Sequence, residues 1–254
     1  GLGMRLDSVI SLPRNMMIGA LQDSSIAYEV GKLIGEQCRR MGIQIDFAPD
    51  MDINNNPANP VINDRSFGEN KYQVARMGVA TIKGMQDAGI MACAKHFPGH
   101  GDTNVDSHLD LPTINKTRQQ LDSLELYPFR EAIKAGVGSI MIGHLYIPAI
   151  DKKPNTPTSI SYKAVTGLLK EEMGFKGLIV TDALEMKGIA KFYSKGQESL
   201  QSLLAGNDLM ILPSTSAGSV DAIQKAIKAG RISQEEVDRR VKNVLRAKYQ
   251  LGLS

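Results

Sequence analysis

Met85-Gln-Asp-Ala-Gly89-Ile-Met-Ala-Cys-Ala94-Lys-His96 is the stretch on which the fold turns. An amphipathic helical pattern closes on Gly89, an apolar run follows, and two polar residues come directly after it. Glycine takes the left-handed cap conformation at little steric cost, so it suits the turn from helix into strand. The run is continuous rather than alternating, as expected of a parallel strand covered on both faces. The same unit recurs as Ile43–Phe47 after Gly42, Ser139–Ile142 after Gly136, Gly177–Val180 after Gly174 and Asp208–Leu212 after Gly206. Strand starts lie roughly 30–50 residues apart, the length of a β-loop-α unit.

Length agrees with this repeat. The 254 residues match an α/β chain of the (β/α)8 TIM-like barrel class, typically about 250 residues long. A chain of this size buries enough surface to fold without disulfides or metal. Its +3 charge is close to neutral for its length, and no run of five or six like charges appears, which argues against a nucleic-acid partner. Two cysteines, Cys38 and Cys93, exclude a disulfide scaffold and a Cys-rich zinc site. No apolar stretch reaches the ~18 residues of a membrane-spanning segment. Ser233-x-x-Glu236 reads as a capping box, with Val237, Val241, Val244 and Leu245 expected on one helix face. Pro128 fits the first turn of a helix ending near Ala135. With no linker or second compositional zone, residues 1–254 read as one domain. In such folds the loops that follow the strands form the rim that carries chemistry.

The four histidines, His96, His100, His108 and His144, all fall at a predicted strand end or in the loop after one. Three of them sit in Lys95-His-Phe-Pro-Gly-His-Gly-Asp-Thr-Asn-Val-Asp-Ser-His108. Lys95 and His96 are expected where their strand meets the rim. Pro98, Gly99 and Gly101 make the next stretch a loop. Asp106-Ser-His108 then sets a carboxylate two residues from an imidazole, a pairing that suits proton donation near neutral pH. Val180-Thr-Asp182 ends another strand on a carboxylate that either points into the barrel mouth or caps the following helix. Arg65, in Asn63-Asp-Arg-Ser-Phe-Gly68, either grips a ligand oxygen or pairs with Asp64.

The segment Lys95–His108 together with Val180-Thr-Asp-Ala-Leu-Glu-Met186 resembles the barrel domain of glycoside hydrolase family 3, in its β-N-acetylhexosaminidase branch. IDFAPDMDI (residues 45–53), NDRSFG (63–68) and RVKNVLRAKYQLGL (240–253) agree with it, so the resemblance spans nearly the whole chain. It implies a retaining glycosidase acting on terminal β-linked N-acetylglucosamine, with peptidoglycan-derived muropeptides as substrates. Asp182 matches the nucleophile, His108 the general acid/base and Asp106 its dyad partner. A histidine in that role departs from the usual pair of carboxylates. Arg5, Arg65, Lys95 and His96 match residues that hold the sugar, and neither cofactor nor catalytic metal is implied. The family barrel carries two further β/α units ahead of the position of Gly1. The expectation is therefore a barrel lacking those units in this chain, with additional domains possible in the intact protein.

Two other classes are compatible with the same residues. His96, His100 and His108, with Asp102 and Asp106, have the donor types of a metal-dependent barrel hydrolase. A vestigial, glycan-binding fragment would keep the fold without the chemistry. A phosphorylase is a subtler neighbour, because a histidine acid/base leaves room for phosphate in place of water.

Overall fold

The computed structural model describes residues 1–4, 6–103 and 110–253. All five expected strands form among them: β1 (Ile45–Asp46), β2 (Met91–Phe97), β3 (Ser139–Ile142), β4 (Leu178–Ala183) and β5 (Leu209–Ile211). Helices alternate with them: α1 (Asn15–Leu21), α2 (Ser24–Arg40), α3 (Lys71–Asp87), α4 (Arg118–Ser123), α5 (Leu126–Lys134), a π-type helix over Lys163–Glu172, α6 (Lys187–Ala190), α7 (Gln197–Ala205), α8 (Ser216–Lys228) and α9 (Gln234–Gln250). The α/β class and the parallel pairing match expectation. Five strands among the described residues do not make a closed eight-stranded barrel.

The described chain divides into two compact units, Gly1–Asp102 with Gln119–Met141, and Thr103–Arg118 with Ile142–Ser254. In the first, β1 pairs parallel with β2 in the register Ile45↔Met91 and Asp46↔Ala92. Pairing continues past β1 through single bonds, Cys93 N–H to Ala48 O at 2.8 Å and Met51 N–H to Lys95 O at 2.6 Å. Helices α2 and α3 meet closely in this unit. A Cβ on Gly31 would lie 2.3 Å from Thr81 O, and one on Gly84 would lie 2.0 Å from Tyr28 O, so only glycine allows that approach. Ile18, Ala27, Val30, Ile53, Phe67, Val74 and Met77 form a core there.

In the second unit β4 pairs parallel with β5 in the register Val180↔Leu209 and Ala183↔Ile211, with an irregularity between the two pairs. Leu200 and Leu203 of α7 pack against Ala222 and Ala226 of α8 and Ile232. The five glycines expected to close helices have positive φ, from 70° at Gly42 and Gly174 to 122° at Gly206. Ser233 caps α9 by accepting the Glu236 N–H, and Pro128 lies in the first turn of α5.

One expected face needs correction. The buried side of α9 carries Arg240 and Ala247, with Val237 and Val244 half-buried, while Val241 and Leu245 are exposed. The stripe 237-240-244-247 follows helical spacing as well as the expected one. It is selected because Arg240 finds acceptors there: the buried Gly206 O at 2.9 Å and Asp208 at 3.5 Å, and the half-buried Glu236.

Candidate functional site

In the first unit, backbone pairing with β2 brings Asp50 beside Lys95. Asp50 and Asp52 lie two residues apart on extended chain, so both carboxylates project to one side. Asp50 is buried and receives Arg65 Nε at 2.9 Å and Lys95 Nζ at 3.6 Å. Arg65 therefore pairs with Asp50 rather than Asp64, which faces Arg14 at 3.7 Å. One buried carboxylate thus sets the position of two cations whose remaining N–H groups can serve a ligand.

Asp52 is fully buried and does the same for the histidines. Its oxygens accept from the backbone N–H of His96 at 3.1 and 3.2 Å, from His96 Nδ1 at 2.7 Å and from the backbone N–H of His100 at 2.7 Å. Burial opposes ionisation of Asp52, yet the adjoining His96 and the His100 amide outweigh it and hold the carboxyl below its usual value. A carboxylate only accepts, so His96 Nδ1 carries hydrogen. On the other ring edge Arg65 Nη2 approaches Nε2 at 3.4 Å. A guanidinium only donates, which leaves Nε2 as the acceptor and assigns the neutral Nδ1–H tautomer.

The loop after β2 is held from below. Asn59 is buried, and its Nδ2 donates to His100 O at 2.8 Å and to Gly101 O at 2.9 Å. Its Oδ1 accepts from Val61 and Ile62, both at 2.9 Å.

In the second unit β4 runs through Asp182 to Ala183, and Asp182 is half-buried. Asp182 Oδ1 accepts the Ala183 N–H at 2.8 Å. The next helix, α6, starts at Lys187 with Met186 at its N-cap. This removes the helix-capping reading of Asp182.

Of the predicted site residues, the structure brings Arg65, Lys95 and His96 together on Asp50 and Asp52, and places Asp182 at the end of β4. Lys95 and His96 stand within β2 rather than just beyond it, because the strand continues to Phe97. Arg5, Asp106 and His108 lie outside the described residues. Asp50, Asp52 and Asn59 join the site from outside the predicted set, and Asp50-Met-Asp52 directly after an apolar strand is the readable signal for the two carboxylates.

Asp50, Asp52 and His96 place potential ligand atoms within 4.8 Å of one another. The set does not suit a cation. Arg65 and Lys95 already neutralise Asp50, and His96 Nδ1 is committed to Asp52. Among the described residues no helix is long and apolar enough to cross a membrane.

The glycosyl hydrolase family 3 N-terminal domain model matches residues 1–247. Beta-hexosaminidase A of Pseudoalteromonas piscicida is 36% identical over 270 residues, covering 98% of this chain and 45% of that protein. The structure of a glycoside hydrolase family 3 beta-N-acetylglucosaminidase from Paenibacillus sp. superposes with a TM-score of 0.95 at 45% identity, covering 98% of this chain and 48% of that one. A beta-glucoside phosphorylase superposes with a TM-score of 0.93 at 25% identity, covering 97% of this chain and 46% of that one. The chain spans about half the length of the curated relatives it matches, 45% and 46% for the first two.

Proposed function

The chain belongs to the glycosyl hydrolase family 3 N-terminal domain family, and from that premise we propose that the protein is a retaining β-N-acetylglucosaminidase. Its substrates are glycans ending in β-linked N-acetylglucosamine, with peptidoglycan-derived muropeptides as the class. The observation that carries this reading is the set Arg65, Lys95 and His96, locked by two buried carboxylates. The preorganised N–H donors of the two cations, beside the acceptor edge of the His96 ring, suit hydroxyl and amide groups, which carry no full charge and need directed hydrogen bonds. Relatives and neighbours named beta-hexosaminidase and beta-N-acetylglucosaminidase support the choice of sugar.

In the first step Asp182 attacks the anomeric carbon, and the bond to the leaving oxygen breaks as His108 transfers its proton to that oxygen. Asp106 orients the His108 ring and stabilises its cationic form. In the second step neutral His108 takes a proton from water, whose oxygen attacks the anomeric carbon and releases Asp182. Net, one water is consumed and configuration is retained. Arg65, Lys95 and His96, with Arg5, hold the sugar's oxygens through both steps.

The test uses 4-nitrophenyl N-acetyl-β-glucosaminide and the intact protein. Asp182→Ala is expected to abolish nitrophenolate release while leaving the fold unchanged. Wild-type turnover by that variant would refute the nucleophile assignment. A phosphorylase reading is supported by the histidine acid/base and by the superposition on a beta-glucoside phosphorylase. Sugar phosphate among the products when phosphate is added would decide for it, and free sugar alone would decide for hydrolysis.

A further inference from the structure

His144 has no part in the reaction outlined above, yet it is completely buried and lies two residues past β3. Its Nε2 stands 2.9 Å from Ala183 O, the carbonyl of the residue after Asp182. Its Nδ1 stands 2.8 Å from the Ser159 hydroxyl. A carbonyl only accepts, so Nε2 carries the hydrogen. In a neutral ring Nδ1 then accepts from Ser159. Ser159 is itself buried, and its carbonyl accepts from Asn207 Nδ2 at 2.8 Å.

This contact falls where the pairing of β4 with β5 resumes after an irregularity. The ladder with β5 is irregular between Val180 and Ala183, the interval that contains Asp182. There the Ile211 N–H also meets a side chain, donating to the Thr181 hydroxyl at 3.0 Å. Beyond the gap Leu184 N–H donates to Ile211 O at 2.9 Å. The peptide between Ala183 and Leu184 is thus fixed at both ends, by Ile211 on its N–H and by His144 on its carbonyl. The preceding peptide carries the N–H that binds Asp182 Oδ1. Ala183 joins the two peptides, so pinning the one restrains the other, whose N–H holds the Asp182 carboxylate.

We propose that His144, locked as its Nε2–H tautomer by Ser159, is a positioning residue that aims the Asp182 carboxylate by holding the Ala183 carbonyl. The inference rests on the reading of Asp182 as nucleophile. It assigns to a buried imidazole the task that a regular strand ladder performs elsewhere in the sheet.

Two substitutions separate aim from mere packing. His144→Gln retains an N–H donor at about the reach of Nε2, and His144→Leu removes it. For His144→Leu we expect kcat/KM on 4-nitrophenyl N-acetyl-β-glucosaminide to fall roughly 10- to 100-fold, the scale of a misplaced reacting group. The inhibition constant of N-acetylglucosamine should stay within about twofold, and His144→Gln should recover to within about threefold of wild type, one good hydrogen bond being restored. Wild-type kcat/KM in His144→Leu would overturn the proposal, as would equal losses in the Leu and Gln variants. If His144→Leu does not fold, Ser159→Ala decides, with a roughly 3- to 10-fold loss expected from the released tautomer and no loss refuting it. Asp182→Ala distinguishes the two levels. Full activity there would fell the nucleophile reading and this inference together, whereas an inactive Asp182→Ala beside a fully active His144→Leu would fell the positioning role alone.

Discussion

Replacing Asp52 tests how the donor cluster is held. In Asp52→Ala three buried donors, the His96 and His100 amides and His96 Nδ1–H, lose their acceptor at once. An orphaned buried donor costs about 1–3 kcal/mol, and three of them are left here around a neutral ring. We expect a loss of about 3–5 kcal/mol, and at roughly 2–4 °C per kcal/mol for a chain of this size the melting temperature falls by roughly 6–20 °C. Asp52→Asn is the sharper probe because its shape is retained. One amide oxygen still serves the backbone N–H groups, but the amide nitrogen now faces a ring nitrogen that also carries hydrogen. His96 escapes by moving its proton to Nε2, which then points an N–H at the Arg65 guanidinium. A loss of about 1–2 kcal/mol and a changed tautomer should follow. Urea unfolding measures the first, and nitrogen-15 shifts of the His96 ring measure the second. The sign in pH is also set. With the folded-state pKa of Asp52 held down and the unfolded value near 3.9, its contribution is complete above about pH 4. It is lost only as pH falls through the lower folded value. An Asp52→Ala protein melting within about 2 °C of wild type, with unaltered ring signals in Asp52→Asn, would refute the reasoning.

Three further outcomes are expected. Gly101→Ala puts a Cβ 1.6 Å from Ile53 O, a clash only backbone movement can relieve. It should cost about 1–3 kcal/mol in thermal unfolding, and an unchanged midpoint would show that the loop is not held there. His108→Ala should slow substrates with poor leaving groups far more than activated aryl glycosides, since only the former need a proton on departure; equal losses on both would count against its acid role. Burial pushes the Lys170 ammonium down to about 8, only partly offset by Asp208. The unfolded chain then holds that proton more tightly, so stability should rise between pH 8 and 10.5. A Lys170→Met protein should lack the rise in its urea midpoint, and parallel curves for the two proteins would exclude the assignment.

Much of the fold was legible because each strand announces itself twice, by an apolar run and by the glycine before it. Ser139–Ile142 matches residue for residue. The errors cluster where polar residues carry strand structure. β2 continues through Lys95 and His96 to Phe97, and the apolar pattern stops at Ala94 because what holds the extension is backbone pairing with residues 49–51. β1 shrinks to Ile45–Asp46, beyond which the Ala48 N–H turns back onto Asp46 O at 2.8 Å. On α9 the expected stripe of aliphatic residues gave way to Arg240, whose buried side is defined by acceptors more than thirty residues away.

The site divides along the same physical line. Lys95, His96, Arg65 and Asp182 could be singled out because their residue types advertise chemistry and their neighbours place them after strands. Asp50, Asp52 and Asn59 stand in a stretch rich in Asn, Asp and Pro that reads locally as solvated loop. Their significance lies in partners about 40 or more positions distant: His96 and His100 for Asp52, Lys95 for Asp50, and Gly101 for Asn59. Such partners appear only when β1 and β2 are laid side by side. A carboxylate met alone in a sequence is read as soluble, and the same carboxylate buried against three donors orders everything it touches. The histidines follow suit. Position along the chain gave His96, His100 and His144 the same standing. The acceptors facing them separate a ring held ready beside Arg65 from one spent on the backbone next to Asp182. In the proposed site the polar groups are ones that residue type reveals, and their aim is set by buried acceptors that only long-range pairing reveals.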